Sequence, residues 1–111
     1  MDNCIFCKIN KGEIPSPKVY EDEDFFIIND INPKAKKHYL MIPKHHYAYL
    51  SEQTNEDILV LGKMLALLPC LARQLGLENG YRVIINQGSD GGQEVAHLHV
   101  HVLGGEKLKS F

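Results

Sequence analysis

Three histidines alternate with apolar residues in Ala96-His97-Leu98-His99-Val100-His101-Val102-Leu103, and the run ends in Gly104-Gly105. Alternation with period two is the pattern of a β-strand, whose successive side chains leave on opposite faces. His97, His99 and His101 are therefore expected on one face, about 6.6 Å apart from Cα to Cα (twice the rise per residue). Leu98, Val100 and Val102 then bury on the other. Imidazoles so placed suit a metal ion, or nucleophilic and acid–base catalysis, since histidine titrates near pH 7. A half-exposed strand face that tolerates histidine would explain one such residue better than three. The run follows a glycine-rich loop, Gln87-Gly88-Ser89-Asp90-Gly91-Gly92. Glycine lets backbone amides approach an anion, and successive amides make a nest for phosphate oxygens. No Gly-Lys-Ser or Gly-Lys-Thr is present, so this is not a P-loop. A plain hairpin loop accounts for the same glycines. Loop and histidines together point to a phosphate ester or anhydride.

The elements that must position these groups follow from the apolar pattern. Residues 4–12 read as a short amphipathic turn or helix with Ile5, Phe6 and Ile9 apolar, ended by Gly12. Val19-Tyr20, Phe25-Phe26-Ile27-Ile28, His38-Tyr39-Leu40-Met41-Ile42, Tyr81 to Asn86 and the histidine run read as strands, the second and third pairing antiparallel. One long helix is expected over 54–76. Thr54 and Asp57 form a capping box at its start and Gly76 a stop at its end. Ile58, Leu61, Leu65, Leu68 and Leu75 follow helical spacing, and Leu59, Val60, Met64, Leu67 and Leu71 widen the stripe. So apolar a helix has a second surface to bury, for which a partner subunit is available. Pro69 predicts a kink. The order predicts an α+β domain with an antiparallel sheet and one long helix, a single domain over 1–111.

The chain has 111 residues, 44% hydrophobic and 23% charged, with a net charge of −2. These are globular values with no electrostatic footprint for nucleic acid or a membrane surface. No apolar run reaches spanning length, and Met1-Asp2-Asn3-Cys4 has no signal-peptide pattern. Three cysteines, two of them as Cys4-x-x-Cys7, point to a reducing cytoplasm rather than a disulfide scaffold. Cys4 and Cys7 have the spacing of a zinc half-site, against which stand two buried free thiols. Cys70 is expected in the core, and Lys34, Lys36 and Lys37 in a solvated loop.

His97-Leu98-His99-Val100-His101-Val102-Leu103 resembles the signature of the histidine triad (HIT) superfamily of nucleotide hydrolases and transferases, and the resemblance extends over nearly the whole chain. Ile5-Phe6, Glu13-Ile14-Pro15, Asp30-Ile31, Ile42-Pro43-Lys44 and Gly80-Tyr81-Arg82 look like family segments in the expected order. Gly88-Ser89-Asp90-Gly91-Gly92-Gln93 and Leu103-Gly104-Gly105 resemble the Hint branch of purine nucleoside phosphoramidases. The diadenosine polyphosphate hydrolase branch usually follows the triad with proline.

The resemblance implies a HIT fold whose sheet extends across a homodimer, and a reaction that releases AMP from a purine nucleoside phosphoramidate or an aminoacyl-adenylate. His99 would be the nucleophile, with its second nitrogen bonded to the carbonyl of His97. His101 would stabilise the phosphate, and His38 would line the site. Asp30 would take the ribose hydroxyls, and Asn86, Gly92 and Gln93 the phosphate cradle. Phe6, Ile9, Ile28, Ile31 and Leu40 would wall the base. Glu94 stands where some Hint proteins carry a serine that assists the leaving group. Some bacterial members resemble this chain in Cys4-x-x-Cys7 and complete a zinc tetrahedron with two histidines, here His46 and His97, with His45 the rival to His46. That zinc would be structural, and the reaction would need no catalytic cofactor. The alternatives are a diadenosine polyphosphate hydrolase of the same fold, a nucleotide-binding module with vestigial catalysis, and a metalloenzyme using the triad as ligands.

Overall fold

A computed structural model describes residues 3–111; Met1 and Asp2, part of the expected leaderless N-terminus and of the expected 1–111 domain, lie outside the described residues. The fold is α+β. Helix α1 (Ile5–Asn10) precedes strands β1 (Lys18–Glu21), β2 (Phe25–Asn29) and β3 (Lys37–Pro43). A 3-10 turn (Leu50–Glu52), helix α2 (Asn55–Gln74) and strands β4 (Tyr81–Ile84) and β5 (Val100–Gly104) follow. The five strands form one sheet in the order β1-β2-β3-β5-β4, and every neighbouring pair is antiparallel. No helix among the described residues is long and apolar enough to cross a membrane.

Both faces of the central strands are buried, which is why β2 and β3 are almost continuously apolar. Phe25, Ile27, Tyr39, Met41, Val100 and Val102 pack with Met64, Leu68, Leu71 and Ala72 of α2. On the opposite face Phe26, Ile28, Leu40 and Ile42 pack with Phe6 and Ile9 of α1. The period of two thus divides one sheet between a helix-covered core and the face that carries the histidines.

Helix α2 begins as the sequence predicts. Thr54 Oγ1 accepts from the Asp57 amide at 3.1 Å, and Asp57 Oδ2 accepts from the Thr54 amide at 3.0 Å. At the other end Gly76 takes φ +78°, so that the Leu77 amide turns back onto the Ala72 carbonyl at 2.8 Å, a Schellman-type stop that glycine makes without steric cost. The helix is continuous through Pro69. Its core stripe is Met64, Leu68, Leu71 and Ala72, whereas Ile58 and Leu65 are exposed, as is Cys70, which the sequence placed in the core. By helical periodicity Ile58 and Leu65 flank the core stripe next to Ala72, and Cys70 lies further round the helix.

Two strand boundaries differ from expectation. β4 stops at Ile84, because Asn86 already belongs to the loop, with Nδ2 donating to the Gly91 carbonyl at 2.8 Å. β5 starts at Val100 rather than Ala96. Ahead of it the Leu98 amide donates to the Tyr47 carbonyl at 2.7 Å instead of joining the ladder. Leu98, Val100 and Val102 are nonetheless buried as expected.

Candidate functional site

His99 and His101 look into a cavity of about 470 Å³ on the α1 side of the sheet. β5 presents His101 and Leu103; β3 presents His38 and Leu40 in register with them (Leu40 opposite His101, His38 opposite Leu103). Phe6, Ile9 and Ile28 form an apolar wall, and Ile31, 87% exposed, stands at the rim. Asp30, Asn86, Gly92 and Glu94 also line the space. A larger depression between residues 76–82 and 104–108 has neither histidine nor cysteine in its lining.

The hydrogen bonds fix where the imidazole protons sit. His99 Nδ1 lies 2.8 Å from the His97 carbonyl. A carbonyl only accepts, so Nδ1 carries a proton, and the neutral form of the ring is the tautomer with its lone pair on Nε2. On the other side the Lys34 amide donates to His38 Nδ1 at 3.0 Å, so the His38 proton sits on Nε2. That nitrogen is 2.9 Å from His101 Nδ1 and 3.4 Å from Asp30 Oδ2. Donation from His38 to His101 Nδ1 leaves the His101 proton on Nε2. The site therefore combines one imidazole with a free electron pair and one that donates. Burial, with His99 and His38 nearby, pushes the His101 pKa down to about 4, and burial lowers that of His38 against the pull of Asp30. Both rings are neutral at pH 7.

His97 does not line the cavity. Its Nε2–H donates to the Pro43 carbonyl at 2.8 Å, which turns an unprotonated Nδ1 towards Cys4 Sγ at 3.4 Å and Cys7 Sγ at 3.7 Å. His46 Nδ1 completes the group, 3.3 Å from Cys7 Sγ and 3.1 Å from His97 Nδ1. With Zn–S near 2.3 Å and Zn–N near 2.1 Å, a tetrahedron has edges of about 3.4 Å between two nitrogens and about 3.6 Å between nitrogen and sulfur. The four separations given lie within about 0.3 Å of those edges and all four donors within 4.8 Å of one another, and a Cys₂His₂ set is the chemistry of a closed zinc centre. Burial lowers the His97 pKa to about 4 and lowers that of His46, keeping both rings in the form that ligates. His45 is elsewhere: its Nδ1 pairs with Asp57 Oδ1 at 2.7 Å, at the N-terminus of α2.

Gln93 departs from its expected place in the phosphate cradle. Its Oε1 accepts from the Gly88 amide at 2.9 Å, and its Nε2 donates to the carbonyls of Ala48 and Val95 at 2.9 and 3.1 Å. The side chain is spent on the backbone and does not line the cavity. The Gly92 and Gln93 amides likewise donate within the loop, to Ser89 and Gly88. A Cβ at Gly91 would collide with the Gln87 backbone, so close packing explains this glycine without an anion. The sequence reading missed Ser16, Asn32 and Lys34, which also line the cavity. Lys34 was legible only as a loop cation; its place, four residues before His38 and four after Asp30, was the available signal.

The chain matches the HIT domain family model over residues 11–108. It is 49% identical over 104 residues to protein HitA of Neisseria gonorrhoeae, covering 94% of this chain and 97% of that protein. It is 48% identical over 106 residues to the 14 kDa zinc-binding protein of Zea mays, covering 94% and 83%. The structure of a HIT family hydrolase from Legionella pneumophila superposes with a TM-score of 0.89 at 44% identity, over 96% of each chain. That of the histidine triad nucleotide-binding protein from Candida albicans gives 0.80 at 39% identity, over 90% of this chain and 73% of that one. The chain belongs to the HIT domain family.

Proposed function

We propose that this protein is a nucleotide hydrolase that releases AMP from purine nucleoside phosphoramidates or aminoacyl-adenylates through a covalent intermediate on His99. The observation that carries the reading is the 2.8 Å bond from His99 Nδ1 to the His97 carbonyl, which selects the neutral tautomer whose lone pair is on Nε2. A neutral imidazole with one nitrogen tied to a fixed acceptor is a ready nucleophile at pH 7. Nε2 attacks the α-phosphorus as the P–N or P–O bond breaks; the leaving group departs past Glu94, an amine taking the proton it needs from solvent and a carboxylate needing none. His101, a donor at Nε2, stabilises the negative charge that builds on the phosphate oxygens. Water then cleaves the N–P bond, giving AMP and free His99. Asp30 holds the ribose, and Phe6, Ile9, Ile28, Ile31 and Leu40 face the base. Asn86 supports the phosphate from the loop.

The relatives named for zinc binding and for nucleotide binding support the same division of labour. Cys4, Cys7, His46 and His97 would hold a structural zinc, which when bound supplies four fixed bonds and no step of the reaction. The chemistry runs without a catalytic cofactor, on a single domain spanning residues 1–111, in the cytoplasm. The exposed face of α2 (Ile58, Leu59 and Leu65) and the edge strand β4 (Tyr81 and Val83) form the homodimer contact, extending the sheet across subunits. A second reading, hydrolysis of a dinucleoside polyphosphate, is favoured by Lys34, whose cationic side chain belongs to the cavity lining.

The test is AMP release from adenosine phosphoramidate and from diadenosine polyphosphate, with His99→Ala and His99→Asn as controls. The first substrate should be turned over and the variants should lose at least about 10³-fold in kcat while still binding AMP. Turnover by either variant at the native rate removes His99 as nucleophile. Preference for the dinucleotide selects the second reading.

A further inference from the structure

The four-ligand centre and the nucleotide cavity share one residue and one helix. His97 gives its Nδ1 to the centre and its main-chain carbonyl to His99. Phe6, which lies between Cys4 and Cys7 in the sequence, packs edge-on against both imidazoles, with centroids 5.7 Å from His97 and 5.2 Å from His99. Phe6 and Ile9, both on α1, are also cavity wall. α1 has only six residues, its N-cap Cys4 makes no side-chain capping bond, and a helix so short is unstable without tertiary anchors. Its anchors are the apolar packing of Phe6 and Ile9 and the two thiols at its start.

From this juxtaposition we infer that the Cys4/Cys7/His46/His97 centre is a positioning element of the nucleotide site, so that zinc and nucleotide bind cooperatively. The inference rests on the reading of the cavity as a nucleotide site. Zinc holds the His97 ring, and through it the carbonyl that sets the His99 tautomer. It also holds the first turn of α1, and through it the wall that meets the base. Ordering of either site orders part of the other. Linkage is reciprocal: the factor by which zinc tightens the nucleotide is the factor by which the nucleotide tightens zinc.

The test uses the zinc-loaded protein and a chromophoric chelator, with and without saturating AMP. AMP should tighten zinc by roughly 5- to 150-fold, the usual range of coupling between sites. The chelated protein, shown by circular dichroism to stay folded, should bind AMP more weakly by the same factor. In parallel, ¹⁵N spectra of the histidines should show His99 protonated at Nδ1 with zinc, and averaged between its two nitrogens without it. Cys4→Ala removes the half-exposed ligand and should weaken both zinc and AMP, whereas His45→Ala should change neither. Equal zinc affinity with and without AMP, in a protein that binds AMP, overturns the coupling. Failure of the zinc-loaded protein to bind AMP overturns the nucleotide reading instead. In that event the His99 spectrum decides the positioning role, and a tautomer unchanged by zinc removal refutes it.

Discussion

At the scale of single residues, the site depends on protons held in place by groups that cannot themselves titrate near neutrality. The His97 carbonyl and the Lys34 amide determine which nitrogen of His99 and of His38 bears hydrogen. Their effect on pH dependence can be given a sign. The His97 and His101 pKa values both fall to about 4 in the folded state, from 6.5. Between those values the unfolded chain binds more protons than the folded one, so stability rises with pH across this window and is lost as pH falls from about 6.5 towards 4. The zinc-free protein should therefore show a denaturation midpoint that drops steadily over that range and is flat above pH 7, measured by urea unfolding. His101→Gln should flatten part of the slope. The alternation of histidines in the sequence located His99 and His101 in one cavity. It did not reveal that His97 turns away, because that depends on Pro43, Cys4 and Cys7, all more than fifty residues distant along the chain.

At the scale of elements, each piece of backbone near the cavity is fixed by side-chain bonds that local patterns only partly disclose. The α2 capping box was readable because Thr54 and Asp57 are three residues apart, the spacing at which each side chain reaches the other's amide. The role of Gln93 was not readable, because its Nε2 reaches the Ala48 carbonyl, distant along the chain, and its bonds to nearby Gly88 and Val95 form only once the loop has folded around it. Gln93→Ala should release the 86–94 loop, costing roughly 1–3 kcal/mol for the donors and acceptors left unpaired. Its signature is a raised KM for the phosphoramidate with kcat little changed, since Asn86 and Gly92 bound the cavity from this loop. A fall in kcat alone would argue that the carboxamide touches the reacting phosphate after all. The same reasoning explains the shortened β5: period-two alternation runs from Ala96, but the Leu98 amide is taken by Tyr47 before the ladder begins.

At the scale of the whole molecule, α2 has more apolar surface than one sheet covers. Leu59 is 72% exposed and Ile58 52%, while Met64 and Leu68 of the same helix are buried. The sequence showed this excess as an apolar stripe too wide for one face. On the proposed dimer, the native protein should sediment as a dimer and Leu59→Arg as a monomer, with the far-ultraviolet circular dichroism unchanged. A variant that sediments as the native protein does would place the contact elsewhere. The antiparallel register carries a further consequence. In β2, β3 and β5 the side chains alternate between the α2 core (Phe25, Ile27, Tyr39, Met41, Val100 and Val102) and the α1 face, where Ile28, His38, Leu40, His101 and Leu103 line the cavity, so the hydrogen-bond ladder acts as a ruler for the chemistry. Deleting one residue from β3 would send Tyr39 and Met41 towards the cavity and His38 and Leu40 towards the helix. A one-residue insertion or deletion should thus be tolerated in the connections, such as the Pro15–Pro17 link, while the strands admit exchange of side chains but not of count.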